Sequence, residues 1–123
     1  MAHKILIADD EPNIVISLEF LLKKEGFETA VAGDGEETLA KVASFKPDLL
    51  LLDVMMPKKS GFEVCEALRA DAANVGLIIV MLTAKGRDTE VAKGLALGAD
   101  AYVTKPFSTK DLVARVRSML GIA

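Results

Sequence analysis

Short apolar runs and amphipathic segments alternate five times along this chain. The apolar runs predict strands at residues 4–8, 28–32, 49–52, 77–82 and 101–104. Several of these runs are almost continuously apolar, which is typical of parallel strands that are covered on both faces. The segments between them carry apolar side chains at helical spacing. Five consecutive strand–helix units predict an α/β fold, with a parallel sheet, right-handed crossovers and helices on both faces.

Local signals mark where the predicted helices begin and end. Pro12 fits the first turn of the first helix, and Gly26 fits its C-terminal stop. Three further helix starts have capping-box spacing, at Asp34 with Glu37, Ser60 with Glu63, and Ser108 with Asp111. The fourth helix, about residues 87–97, has the weakest apolar face. The 123 residues contain no Pro/Gly/Ser-rich linker, so residues 1–123 are expected to form one domain.

The composition argues against several classes of function. A net charge of −3 leaves no basic surplus to neutralise phosphates, so direct binding of nucleic acid is not expected. The single histidine, His3, argues against a histidine triad or a His/Cys zinc site. The single cysteine, Cys65, suits a buried position in a reducing compartment, so a cytoplasmic location is expected. The longest apolar run is far shorter than the roughly 18 residues of a membrane span, so no membrane partner is expected.

Polar side chains follow four of the five predicted strands. In open parallel sheets, ligands bind outside the carboxyl ends of the strands. The groups at those ends are Asp9, Asp10 and Glu11; Asp53; Thr83 and Ala84; and Thr104, Lys105 and Pro106. Taken singly, each group has a sufficient structural explanation, as a helix cap, a turn residue or a solvated side chain. Taken together they share one edge, where carboxylates about 4 Å apart repel by about 4 kcal/mol per pair at a dielectric near 20.

The clustered acids therefore predict a bound cation, and its nature follows from the ligand types. All candidate ligands are oxygens, which argues against zinc and the softer metals. Calcium would require six to eight oxygens from a flexible loop, whereas Mg²⁺ accepts one or two carboxylates and keeps waters. Asp10, Asp53 and a water-bridged Asp9 could supply such a site. Lys105, expected on its far side, would be a fixed positive charge for a bound phosphate.

Four motifs at these strand ends make the whole chain resemble the receiver domain of two-component response regulators. They are "ILIADDEP" at 5–12, "LLLLDVMMPKKSGFE" at 49–63, "VMLTAKG" at 80–86 and "GADAYVTKPF" at 98–107. The resemblance implies a single doubly wound (βα)5 flavodoxin-like sandwich, with a five-stranded parallel sheet of order 2-1-3-4-5. It also implies a switch that catalyses only its own phosphotransfer and dephosphorylation.

The resemblance further implies roles for the matching residues at the phosphoryl site. Asp53 would accept a phosphoryl group from the phosphohistidine of a partner histidine kinase. Asp10 would bind Mg²⁺ directly, Asp9 through water, and the backbone carbonyl of Met55 would be the remaining protein ligand. Lys105 would bind the phosphoryl group.

The remaining matching residues would form the switch. Thr83 would supply the switch hydroxyl, beside the small Ala84. Tyr102 would change rotamer on activation, and Pro106 would follow the lysine through a bond that is typically cis in the family. The face formed by the fourth helix, fifth strand and fifth helix would then be recognised by a partner protein or a second copy.

Three other classes of protein could share this fold or this acidic edge. A phosphatase of the haloacid dehalogenase type needs a second acid two residues after its nucleophile, and position 55 is methionine. A flavodoxin-like cofactor protein needs a Ser/Thr/Gly-rich phosphate loop after the first strand, where this chain carries acids that would repel phosphate. A degenerate receiver kept only for docking is not favoured, because all five expected side chains are present.

Overall fold

A computed structural model of the chain describes residues 3–84, 88–105 and 107–122, with only the backbone of Ala84. Strands and helices alternate through these residues, and one short 3₁₀ helix, Ala72–Asn74, precedes the fourth strand. The strands are β1 Lys4–Ala8, β2 Glu28–Ala32, β3 Leu49–Asp53, β4 Ile78–Ala84 and β5 Ala101–Lys105. The helices are α1 Pro12–Lys24, α2 Gly35–Phe45, α3 Gly61–Arg69, α4 Asp88–Ala96 and α5 Thr109–Met119. Of these helices, none has the length and apolar character that crossing a membrane requires.

The strands form one parallel sheet of order β2-β1-β3-β4-β5, which confirms the predicted topology. Alternate side chains of β3 enter opposite layers: Leu50 and Leu52 pack with α2 and α3, whereas Leu49 and Leu51 pack with α1 and α5. All four leucines are fully buried, and each burial contributes about 2 kcal/mol. Two covered faces therefore explain the continuous leucine run.

Three strands reach further than their apolar runs predicted. β3 includes Asp53, β4 runs from Ile78 to Ala84 rather than over 77–82, and β5 includes Lys105. The reason is that ladder pairing depends on the backbone, so it continues under polar side chains. Asp53 pairs with Leu82, and Lys105 pairs with Ala84.

The helix starts predicted at Pro12, Asp34, Ser60 and Ser108 hold, but only one of the three predicted capping boxes is complete. Pro12 is the first residue of α1. Ser60 and Glu63 form a full reciprocal capping box, whereas the side chains of Asp34 and Ser108 only accept backbone N–H groups. At α2 the expected return bond is replaced, because Glu37 Oε1 accepts the N–H of Gly33 at 2.6 Å.

Helix α4 is the most lightly packed helix, as its sequence predicted. Gly94 is its only buried residue, and Leu95 is 43% exposed. A Cβ built on Gly94 would lie 3.3 Å from Met81 Cγ, so the absence of a side chain brings this helix close to β4. Lys93 places its ammonium 4.5 Å from the centre of the Phe62 ring of α3. Little apolar burial opposes a movement of this helix.

Candidate functional site

Three carboxylates meet at the carboxyl edge of the sheet, where the strand pattern predicted them. Asp53 ends β3 and Asp9 follows the adjacent strand β1, whose last residue, Ala8, pairs with Leu52. One oxygen from each of Asp9, Asp10 and Asp53 lies within 4.8 Å of the other two. Asp9 and Asp53 are buried, whereas Asp10 is exposed.

Lys105 lies directly against the two buried acids. Its Nζ is 3.0 Å from Asp9 Oδ2 and 3.4 Å from Asp53 Oδ2. It also lies 3.2 Å from Oε1 of Glu11, which the sequence placed at this edge without assigning it a role. The lysine thus supplies part of the countercharge, but its ammonium contacts three carboxylates and Asp10 lies close to two of them, so the site keeps a negative surplus.

Backbone N–H groups orient the two buried carboxylates. The N–H of Glu11 donates to Asp9 Oδ1 at 2.9 Å, and the N–H of Met55 donates to Asp53 Oδ1 at 3.3 Å. Both bonds reach two residues along the chain, the pattern of an Asx turn. Each carboxylate therefore uses Oδ1 to hold its own loop and presents Oδ2 to the lysine.

The proton affinities of Asp53 and Lys105 reflect this crowding. Burial, followed by the negative charge of Asp9, raises the pKa of Asp53 from 3.8 to about 6, although Lys105 and the N–H of Met55 oppose the change. Burial alone would lower the pKa of Lys105, but its hydrogen bond to Asp9 and the charges of Asp53 and Asp9 raise it overall. Lys105 is therefore a permanent cation at neutral pH, and Asp53 is a carboxylate that gains from any further positive charge.

The donor set fits a hard divalent cation. Asp9 Oδ2 is buried, and it shares the Lys105 ammonium with Asp53, at 3.0 Å and 3.4 Å. Buried carboxylates that share one ammonium keep uncompensated negative charge, which a divalent cation would neutralise. The neighbouring acid Asp10 is exposed, which suits an ion that keeps part of its water shell.

Thr83, on β4, carries a buried hydroxyl. The residue is 1% exposed, and its Oγ1 makes no hydrogen bond to any of the residues that the structure describes. Leu82, the residue before it, pairs with Asp53 on the neighbouring strand. A buried hydroxyl with unused capacity is available to donate to an oxygen that arrives at this edge.

The structure describes only some of the remaining predicted residues, which are the switch residues Ala84, Tyr102 and Pro106 and the proposed metal ligand Met55. Tyr102 is on the edge strand β5 and is 37% exposed. Met55 is on the loop after β3 with a side chain that extends into solvent. Pro106 and the side chain of Ala84 lie outside the described residues.

The fold and the site together define a doubly wound α/β protein with an acidic pocket at the strand ends. The response regulator receiver domain family matches residues 5–117. The DNA-binding response regulator MtrA of Mycolicibacterium smegmatis is 51% identical over 120 residues, which are 98% of this chain and 51% of that protein. The alkaline phosphatase synthesis transcriptional regulatory protein PhoP of Bacillus subtilis is 48% identical, over 98% of this chain and 49% of its own length.

Solved structures agree with the sequence relatives. A putative response regulator from Chloroflexus aurantiacus superposes with a TM-score of 0.92 at 36% identity, covering 98% of this chain and 99% of the other. The chemotaxis response regulator CheY4 of Vibrio cholerae has a TM-score of 0.90 at 31% identity, covering 96% and 98%. This chain therefore belongs to the response regulator receiver domain family, the phosphoacceptor switches of two-component signalling. It spans about half the length of the curated relatives named above.

Proposed function

We propose that Asp53 is the phosphoacceptor and that Mg²⁺ binds beside it. The phosphoryl group comes from the phosphohistidine of a sensor histidine kinase or from a small phosphodonor. Asp9, Asp10, Asp53 and the carbonyl of Met55 hold the ion. The observation that carries this proposal is the meeting of three carboxylates within 4.8 Å, with the Lys105 ammonium against the two buried ones.

The transfer itself is a substitution at phosphorus. A carboxylate oxygen of Asp53 forms the new P–O bond, the P–N bond of the donor breaks, and its electron pair stays on the imidazole nitrogen. The product is an acyl phosphate on Asp53. Such transfers depend mainly on positioning and on neutralising the phosphoryl oxygens, the chemistry that Mg²⁺ supplies when bound.

The protein's own groups complete the site. With a pKa of about 6, Asp53 is mainly ionised at pH 7 and ready to act as a nucleophile. The Lys105 ammonium can leave Asp53 for the incoming phosphoryl oxygens without moving far, since it already lies 3.4 Å from the carboxylate. Until the ion binds, the surplus of carboxylates repels a phosphoryl donor, so metal binding precedes transfer.

The switch follows from the unpartnered hydroxyl of Thr83. We propose that Thr83, together with the N–H of Ala84, turns toward the new phosphoryl oxygens, and that Tyr102 fills the space it leaves. The bond before Pro106 is cis in this proposal, as the family resemblance implies. The light packing of α4 supports a population shift of the face formed by α4, β5 and α5. A downstream protein or a second copy binds that face in this proposal.

The wider setting is proposed from the relatives. Because they are named as a DNA-binding regulator and a transcriptional regulatory protein, we propose that the switch controls transcription. Residues 1–123 act in the cytoplasm as one receiver domain that does not itself contact nucleic acid or membrane. The domain catalyses its own phosphorylation and dephosphorylation and has no separate substrate to turn over.

Intact-mass spectrometry tests the phosphoacceptor assignment. Acetyl phosphate with Mg²⁺ is expected to add about 80 Da to the wild-type chain and nothing to Asp53→Asn. Added mass that persists in the variant would refute the assignment. Size-exclusion chromatography with and without beryllofluoride tests the proposed face, because activation should change the elution volume if a second copy binds there.

A further inference from the structure

The loop between β3 and α3, residues 54–60, is closed at its base by a glycine. The N–H of Gly61 donates to the carbonyl of Val54 at 2.9 Å. A Cβ built on Gly61 would lie 2.9 Å from Val54 Cα and closer still to the carbonyl oxygen of Asp53. The loop that carries Met55 therefore begins and ends at one tight contact beside the phosphoacceptor.

A second glycine, Gly35, contacts this loop from the turn at residues 33–36, which joins β2 to the first residues of α2. The N–H of Gly35 donates to the carbonyl of Pro57 at 3.2 Å. A Cβ on Gly35 would lie 2.9 Å from the carbonyl carbon of Lys59, and closer still to its Cβ and its oxygen. Backbone atoms cannot rotate aside as the end of a long side chain can, so a side chain at position 35 would displace the loop.

Lys58, on the loop at residues 54–60, forms ion pairs with acidic residues of the turn at residues 33–36. Its backbone has φ of 69°, in the left-handed region that few non-glycine residues adopt. Its ammonium lies 3.8 Å from Asp34 and 4.0 Å from Glu36, on the first turn of α2 and its cap. These exposed ion pairs are weak individually, and they support a contact whose main restraint is Gly35.

We propose that Gly35 is a positioning residue of the phosphoryl site and that the turn at residues 33–36 fixes the loop from which Asp53 takes its orientation. The path is short: Gly35 contacts Pro57 and Lys59, and the same loop presents the N–H of Met55 to Asp53 Oδ1 at 3.3 Å. Its effect on metal binding rests on the proposed function, since the carbonyl of Met55 is a proposed ligand. The end of β2, which the sequence explained only as a helix cap, thereby contributes to the site.

Gly35→Ala tests this role, with Gly33→Ala as the matched control. The control makes the same substitution in the same turn, but a Cβ on Gly33 would meet only Glu37 Oε1, at an ordinary 3.8 Å. Isothermal titration of each folded variant with Mg²⁺ alone is expected to show a dissociation constant raised about tenfold in Gly35→Ala and unchanged in Gly33→Ala. The amide resonance of Met55 should shift in Gly35→Ala before any metal is added. The rate of acetyl phosphate labelling at saturating Mg²⁺ should fall by a similar factor.

The outcomes separate this inference from the proposed function. If wild type binds Mg²⁺ and is labelled while folded Gly35→Ala behaves like Gly33→Ala, the positioning role is wrong and the phosphoacceptor assignment stands. If wild type is not labelled, the proposed function fails, whereas the metal-free shift of Met55 still reports the contact. Should Gly35→Ala fail to fold, amide exchange in wild type decides, because the Gly35 N–H donates to the carbonyl of Pro57. Slower exchange of this amide when Mg²⁺ is added supports the role, since coupling between the contact and the metal is reciprocal, and an unchanged rate overturns it.

Discussion

Replacing Asp53 by asparagine should stabilise the metal-free protein at neutral pH. The pKa of Asp53 is about 6 in the folded protein, mainly because of burial, against 3.8 for an ordinary aspartate. The folded state therefore binds this proton more tightly than the unfolded chain does, and ionisation of Asp53 favours unfolding. Asparagine has nearly the same shape and no charge, so it removes this cost.

The magnitude follows from the interval between the two pKa values. At 1.36 kcal/mol per pH unit, the interval from 3.8 to about 6 corresponds to about 3 kcal/mol. The side chain of Asp53 is 7% exposed, so solvent screening reduces this little. The attraction to Lys105 is already contained in the pKa. Since the amide of asparagine must itself be desolvated, we expect a gain of about 2 kcal/mol in the free energy of unfolding.

Urea unfolding followed by circular dichroism, in chelator and from about pH 4 to pH 8, measures this gain. The stability that wild type owes to protonated Asp53 is complete below pH 3.8 and is lost as the pH rises through about 6. The advantage of the variant should therefore be below about 1 kcal/mol near pH 4 and reach its full value by about pH 7. Saturating Mg²⁺ should reduce it, since the ion stabilises only a site that binds it.

A control separates this effect from a general loss of negative charge. Glu66→Gln removes an exposed carboxylate from α3 and should change the free energy of unfolding by less than about 0.5 kcal/mol. An Asp53→Asn variant that is no more stable than wild type at pH 7.5 would show that ionised Asp53 does not destabilise the folded protein. So would a gain that stays constant across the pH range.

Two other substitutions test particular contacts. Thr83→Ala should change the free energy of unfolding in urea by less than about 1 kcal/mol, because the buried hydroxyl makes no hydrogen bond to the described part of the chain. The same variant should show smaller changes in the amide chemical shifts of α4 when beryllofluoride is added. A loss above about 2 kcal/mol, or unchanged α4 shifts, would contradict this. Arg69→Lys should lower the free energy of unfolding by about 3 kcal/mol, since Arg69 donates at 2.7–2.8 Å to three backbone carbonyls and to Asp100, a set that one ammonium cannot span. Unchanged unfolding in urea would show that these bonds contribute nothing.

The sequence was sufficient for the sheet and for the meeting of the acids. Parallel strands end at the same edge, so the positions of Asp9 and Asp53 after neighbouring strands determined that they would be close. The contact between Lys105 and both acids was not predictable, because it depends on the direction that a long side chain takes from the end of β5. Glu11 could have been recognised as part of the site, since it directly follows the two acids and precedes α1.

Contacts between loops were the least predictable part. Gly35 follows a capping aspartate and looks like an ordinary first residue of a helix, and no local pattern shows that the loop after β3 rests on it. The unsatisfied state of Thr83 was equally hidden, because a strand pattern gives the position of a hydroxyl and not its partners. Such features depend on how separate segments pack, and periodicity along one segment carries no information about that packing.

Chemical trapping of the acyl phosphate shows which residue carries the phosphoryl group. Wild type is treated with acetyl phosphate and Mg²⁺, reduced with borohydride and digested, and peptide mass spectrometry then locates the reduced residue. We expect homoserine at position 53 and nowhere else, and none when Mg²⁺ is replaced by chelator. Homoserine at another aspartate, or an unmodified position 53 in protein that has gained the phosphoryl mass, would contradict the assignment of Asp53 as the phosphoacceptor.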